Sequence, residues 1–275
     1  MKTRIVCIGL LSVLGVVCAS AQGRKDNDND NNNNNSRCAG LPSQAQLKAA
    51  LAAAVNTDTS GLNMNMWGTI VDRDGIVCAV AFTGANRGGQ WPGSRVISAQ
   101  KANTANAFSL DPSAASGGSG GALALSTANL FSAVQPGGSL FGLQESNPVD
   151  VEVAYRGPST NYGTANDPMV GSKIGGVNVF GGGLALYNSS HQIIGAVGVS
   201  GDTSCSDHFI AWRTRHNLNL DHLKGAIPGP ASLFAGDTNH PDNIIFDITG
   251  GVSATGFGHP KCYLSGDPLS LPAVQ

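Results

Sequence analysis

The stretch Ile193–Trp212 joins an apolar segment, a glycine-rich corner and a polar helix start. Residues 193–199 form a short apolar run that is typical of a buried strand. Gly195, Gly198 and Gly201 remove side chains where the backbone must turn or lie close to a neighbour. Helix-opening N–H groups at such a corner can bind a carboxylate or another anion. The alternative is that the glycines only allow a strand and a helix to pack tightly.

Charged residues near this corner are candidates for holding an acidic ligand. Lys101 lies among small residues on a predicted helix, and Arg87 lies in a glycine-rich loop. Both can pair with a carboxylate, the arginine through two parallel hydrogen bonds. The plainer interpretation is a lysine that is solvent-exposed or pairs with a helix end, a surface arginine, and aspartates that support a helix start. The complete predicted ligand-binding set is Lys101, Arg87, Gly198, Ser200, Gly201, Asp202, Asp207 and His208.

His208 is the histidine that we single out, because it falls in the first turn after the corner. A neutral imidazole there could ligate iron or transfer a proton, and a helix N-terminus disfavours its protonation. A hydrogen-bonded structural histidine is the alternative. Ser200 lies between a strand and a helix, but its surroundings lack the glycine spacing of a nucleophile elbow. The glycines do not match a dinucleotide-binding motif either, and we assign no catalytic residue.

The elements that position these residues follow from apolar spacing and capping signals. Ser43 and Gln46 form a capping box that predicts the start of the first helix. The further predictions are strands at Met66–Asp72 and Ile76–Phe82, helices at Ser94–Phe108 and Leu123–Val134, a strand at Val149–Tyr155, strands at Gly182–Asn188 and Gln192–Ser200, a helix at Cys205–His216 and a short strand at Asn243–Ile248. This order predicts one mixed α/β (α+β) domain with an antiparallel sheet.

The N-terminus predicts export, to a secreted or periplasmic location. A basic start, an apolar core at Ile5–Val17 and a small-residue cleavage site match a signal peptide over residues 1–21. Residues 22–37 form an Asn/Asp-rich tether that cannot bury enough surface to fold. The apolar run is too short to favour a membrane span. The chain has a formal net charge of −2 and no basic block, so nucleic acid is not an expected partner.

Four cysteines remain after the predicted cleavage, and they allow three pairings. Export favours two disulfides, and we expect Cys205 to pair with Cys262 and Cys38 with Cys78. A metal site is not expected, because the sequence contains no CxxC or HxxxH spacing.

Three segments together carry a recognisable pattern. They are the Trp67–Val80 hairpin with its V-D-R-D-G turn, the helix segment Lys101–Ala105, and Ile194–Ala211 with its G-x-x-G-V-S-G corner. In this order they resemble the secreted haem-binding family related to HbpS and GlcG. The resemblance implies a profilin-like domain over residues 38–224, in which helices flank a central antiparallel sheet. It also implies a tendency to form homo-oligomers and, in some members, haem or cobalamin-related ligands. Relative to that family, this chain has an enlarged insertion at about 114–176 and a loop-rich extension at 225–275.

The residues and the resemblance predict an exported binding protein for haem or a similar small ligand that carries carboxylates. Haem is the expected cofactor, and His208 is the candidate iron ligand. Two alternatives stay open: a haem-degrading or redox enzyme, and a ligand-free structural or signalling module with an envelope protein as its partner. The binding hypothesis requires that the amides opening the Cys205–His216 helix face an accessible hollow.

Overall fold

The computed structural model describes residues 38–117 and 121–275. The predicted signal peptide at 1–21 and the predicted tether at 22–37 lie outside these ranges, as do residues 118–120 of the predicted insertion.

A four-stranded antiparallel sheet forms the centre of the domain, with the strand order β2-β1-β4-β3. The strands are β1 Trp67–Asp72, β2 Val77–Phe82, β3 Gly183–Tyr187 and β4 Ile193–Ser200. The β1–β2 and β3–β4 pairs are hairpins, and β1 pairs with β4 at the centre. Because Trp67 lies opposite both Phe82 and Ser200, the corner after β4 shares one end of the sheet with the loop after β2.

Helices cover both faces of this sheet. Their bounds are α1 Gln44–Thr57, α2 Ser94–Phe108, α3 Val151–Tyr155, α4 Ser204–Asn217 and α5 Pro230–Phe234. Leu47 and Leu51 of α1 share one apolar core with Phe209 and Trp212 of α4, on one side of the sheet. The alanines of α2 pack on the opposite side. The predicted antiparallel α/β architecture is confirmed, and no described helix has the length and apolar character that a membrane span requires.

Two predicted elements in the insertion are wrong. The region predicted as a helix at Leu123–Val134 contains two short 3-10 helices, Thr127–Leu130 and Ser132–Val134. Asn129 donates a hydrogen bond to the Asn243 carbonyl, so tertiary contacts replace a regular helix there. The predicted strand at Val149–Tyr155 is the helix α3, because the Asp150 side chain caps two backbone N–H groups at its start.

The C-terminal segment, residues 225–275, packs against the rest of the domain and contributes to its core. The predicted strand at Asn243–Ile248 is also wrong, since only Ile248–Thr249 (β5) pairs there, with Val252–Ser253 (β6). Leu271 and Val274 instead join the core beside α4. Both expected disulfides are present, Cys38–Cys78 and Cys205–Cys262, and the second ties this segment to the first turn of α4.

Candidate functional site

The corner after β4 is closed by its own side chains. Asp207, in the first turn of α4, turns back so that its Oδ1 accepts hydrogen bonds from the N–H groups of Gly201 (3.0 Å) and Asp202 (2.9 Å). The Thr203 hydroxyl accepts a hydrogen bond from the Ser206 N–H at 3.3 Å. The expectation that these amides face an accessible hollow is therefore wrong, because an internal carboxylate already occupies the place of an external anion.

Lys101 balances that internal carboxylate. Its Nζ lies 2.6 Å from Asp207 Oδ2 and 3.1 Å from the Val199 carbonyl oxygen. The lysine is 1% exposed and the aspartate 2% exposed. Burial lowers the pKa of Lys101 and raises the pKa of Asp207 to about 6. The pair links α2 to α4 across the end of the sheet, and its ammonium is committed to Asp207.

Asp202 and the glycines position neighbouring backbone. Asp202 Oδ2 accepts hydrogen bonds from the N–H groups of Leu62 (2.8 Å) and Met64 (3.1 Å), which fastens the loop at 61–65 to the corner. A Cβ at Gly198 would overlap the Ser98 carbonyl oxygen of α2, and one at Gly201 would overlap the Asn65 carbonyl oxygen. These contacts favour the tight-packing interpretation of the glycines. Ser200 is buried beside them.

His208 is completely buried. Its Nε2 lies 3.1 Å from the Ile244 N–H nitrogen and 3.2 Å from Asn243 Oδ1. Burial lowers the pKa of His208 to about 4, so the imidazole is neutral near pH 7. The Ile244 N–H lies closer to Asn243 Oδ1, at 2.8 Å, and Oδ1 can only accept, so Nε2 carries the ring proton and donates to Asn243 Oδ1. Nδ1 has no hydrogen-bond partner among the described residues. An iron atom at Nε2 would have to displace Asn243 and Ile244, and the ring is completely buried, so His208 does not fit an iron ligand in this arrangement.

Arg87 is an accessible cation at the same end of the sheet. It is exposed in the loop between β2 and α2 and pairs with no acidic residue of the described ranges. The Asn65 side chain donates a hydrogen bond to the Gly89 carbonyl at 3.2 Å, which joins this loop to the loop at 61–65. Leu62 and Trp91 on these loops are 48% and 47% exposed. We call the exposed face of residues 61–65 and 84–91 the loop surface.

A cleft of about 770 Å³ opens on the other side of the α4 N-terminus, within the size range of small-molecule sites. It is formed by the C-terminal segment, and its lining includes Ile244, Ile245, Phe246, Cys262 and Leu269. The charged side chains in the lining are Asp237, Lys261 and Asp267. Two carboxylates against one ammonium make this cleft a poor match for a ligand with two carboxylates of its own.

A second group of chemically capable side chains lies between the cleft and α4. Cys205 and Cys262 form their disulfide there, and His259 Nδ1 lies 3.9 Å from Cys205 Sγ. His259 Nε2 is 2.7 Å from Ser204 Oγ, and burial lowers the pKa of His259 to about 4. No sequence motif predicts this cluster, because His259 and Cys262 lie more than fifty residues after Cys205.

The fold and its corner define an α/β domain built on one four-stranded antiparallel sheet, with buried charged residues at one end of that sheet. A family model described as "Haem degrading protein HbpS-like" matches residues 43–214, which is well over half of the chain. The chain belongs to this HbpS-like family. The match ends within α4, so the cleft, His259 and Cys262 lie outside it.

Two solved structures are similar to part of this chain. The crystal structure of Klebsiella pneumoniae protein ORFY is 26% identical, with a TM-score of 0.40, over 64% of this chain and 90% of that one. The crystal structure of a PduOC–haem complex is 22% identical, with a TM-score of 0.41, over 63% of this chain and 89% of that one. No curated protein matches the chain significantly.

Proposed function

We propose that this protein binds haem, or a similar flat ligand bearing carboxylates, outside the cytoplasm. Membership of the HbpS-like family over residues 43–214 carries the proposal. Export is supported by the signal-like N-terminus and by the two disulfides, which persist in oxidising compartments.

The loop surface is the site that we propose for this ligand. Arg87 is free to pair with a carboxylate there, whereas Lys101 is buried against Asp207. Leu62 and Trp91 offer exposed apolar area for the face of a flat ring. Met64, which is partly exposed in the loop at 61–65, carries a thioether of the kind that ligates haem iron in cytochromes. Haem bound there would supply an iron centre; the chain's own residues would hold its carboxylates and ring.

A haemin titration followed by the Soret band tests the proposal. We expect a saturable, shifted band for the protein beginning at Gln22. Arg87→Gln should weaken binding by about 5- to 30-fold, the loss of one charge-assisted contact of roughly 1–2 kcal/mol. Lys224→Gln, at an exposed lysine outside the loop surface, is the matched control and should leave affinity unchanged.

The same spectra distinguish two questions: whether the protein binds haem, and whether haem binds at the loop surface. Met64→Leu keeps the size of the side chain and removes the thioether, so it should alter the position of the Soret band if Met64 reaches the iron. A spectrum indistinguishable from free haemin at all protein concentrations would contradict haem binding. A shifted band that neither Arg87→Gln nor Met64→Leu affects would keep haem binding and reject the loop surface as its site.

Degradation of haem is a second candidate, favoured by the description of the family model. With ascorbate and oxygen, a degrading enzyme would lose the bound-haem spectrum over time while releasing iron. A binding protein would keep the spectrum. Insensitivity of any turnover to His208→Ala would show that His208 takes no part. Homo-oligomers and an envelope protein partner remain predictions, and sedimentation of the haem-loaded protein tests the first of them.

A further inference from the structure

We propose that reduction of the Cys205–Cys262 disulfide creates a Zn²⁺ site with two thiolates and the His259 imidazole as ligands. The ligand atoms of these three residues lie within 4.8 Å of one another. Two cysteines and a histidine are a zinc-ligand set that leaves one coordination position open. This site is independent of the haem proposal, and it lies on the segment that the family match does not cover.

The surroundings of Cys205 favour its thiolate. Cys205 is the second residue of α4, where backbone N–H groups and the helix dipole stabilise negative charge. The Cys205 N–H already points at the bridge, 3.2 Å from Cys262 Sγ. The other disulfide differs in both respects, because Cys78 lies in the strand β2 and no histidine accompanies it in a candidate metal group of the described residues.

The cleft gives a route for the reductant. Cys262 is partly exposed and lines the cleft, whereas Cys205 is completely buried. A dithiol reductant would attack Cys262 Sγ as its thiolate, the sulfur–sulfur bond would break, and Cys205 would leave as a thiolate. The second thiol of the reductant would then release Cys262, which takes up a proton, and the reductant would become a disulfide. Two electrons pass to the protein in this exchange.

His259 is prepared to act as the third ligand. Its imidazole is buried, and its Nδ1 lies 3.9 Å from Cys205 Sγ, close enough to share one metal ion. Nδ1 now lies 2.7 Å from the Pro260 carbonyl oxygen, so it carries the ring proton. When Nδ1 binds Zn²⁺, the proton moves to Nε2, where Ser204 Oγ at 2.7 Å can accept it in a hydrogen bond. Zinc binding also displaces the remaining thiol proton of Cys262.

The test uses the Cys38→Ser/Cys78→Ser variant, in which Cys205 and Cys262 provide the remaining thiols after the predicted cleavage. We expect one Zn²⁺ per chain after reduction with a phosphine, and none before it, measured by competition with a chromogenic chelator. Co²⁺ in place of Zn²⁺ should give an intense tetrahedral absorption spectrum with a sulfur-to-cobalt charge-transfer band.

Two further variants decide between a built site and two free thiols. His259→Gln should weaken Zn²⁺ binding by at least about 10- to 100-fold, the loss that removal of even an outer-shell partner brings. His216→Gln is the matched control. This histidine pairs with Asp221 away from the cysteines, so its replacement should leave Zn²⁺ affinity unchanged. Equal binding by His259→Gln, or equal binding by a reduced protein whose circular dichroism shows it to be unfolded, would overturn the proposal.

Discussion

The first turn of α4 has two sides, and they are built from different chemistry. The side toward α2 is closed by a buried ion pair. The Asp207 carboxylate binds the Lys101 ammonium and accepts a hydrogen bond from the Gly201 N–H group. The side toward the C-terminal segment carries sulfur and imidazole beside an open cleft. The closed side belongs to the region that the HbpS-like model matches, and the open side depends on residues beyond it. The difference indicates that the glycine-rich corner stabilises the fold, whereas the extension adds chemically reactive groups.

Removal of Lys101 should have the largest effect on the closed side. Lys101→Met leaves the Asp207 carboxylate buried without its partner, which should lower the free energy of unfolding by about 3–5 kcal/mol. The double variant Lys101→Met/Asp207→Asn should recover part of that loss, because an amide oxygen can still accept from Gly201 and Asp202. Urea unfolding measures both. A loss below about 1 kcal/mol for the single variant would mean that the pair is solvated and the corner open.

The second-largest effect should be a loss of folding stability at acid pH, caused by His259 on the open side. The pKa of His259 falls from 6.5 to about 4 on folding, so the unfolded chain binds a proton that the folded chain does not between these values. Stability is therefore lost as the pH falls from 6.5 toward 4, by up to roughly 3 kcal/mol for such a shift. His208 behaves in the same way. Asp207 opposes both, because its raised pKa favours the folded state as the pH falls.

Comparison with His259→Gln isolates the contribution of that histidine. Urea unfolding at several pH values should show a shallower acid-side slope for the variant than for the unchanged protein. If the unfolding free energies of the two proteins fall equally with pH, His259 is solvated in the folded protein and the cleft reaches its imidazole.

A substitution at the corner glycine should have the smallest effect of the three. Gly201→Ala places a methyl group against the Asn65 carbonyl and Met66, and should cost about 1–3 kcal/mol through forced displacement. Gly93→Ala is the matched control, since nothing lies within 4 Å of its Cβ position and its φ of −64° suits alanine. The control should stay within about 0.5 kcal/mol in thermal or urea unfolding. Equal effects would remove the case for close packing at the corner.

Local signals in the sequence predicted most of the sheet and its helices. The capping box predicted the start of α1, because Ser43 is its N-cap residue. The helix predicted at Ser94–Phe108 has the same bounds as α2. The same signals could not show that Asp207 folds back onto Gly201, because capping by a residue several positions into a helix depends on tertiary placement. Nor could they bring His259 to Cys205, which requires the path of the whole C-terminal segment. Local sequence patterns therefore do not predict contacts between segments that are distant in the sequence.

Trp212 gives the molecule a natural optical probe. Its indole N–H donates to the Pro272 carbonyl at 2.9 Å, and its ring lies against Arg215 and His240. The polarity around this indole depends on the last residues of the chain remaining docked against α4. In a variant in which phenylalanine replaces Trp67 and Trp91, its emission wavelength should therefore report detachment of the C-terminus during reduction or acidification, without an added dye.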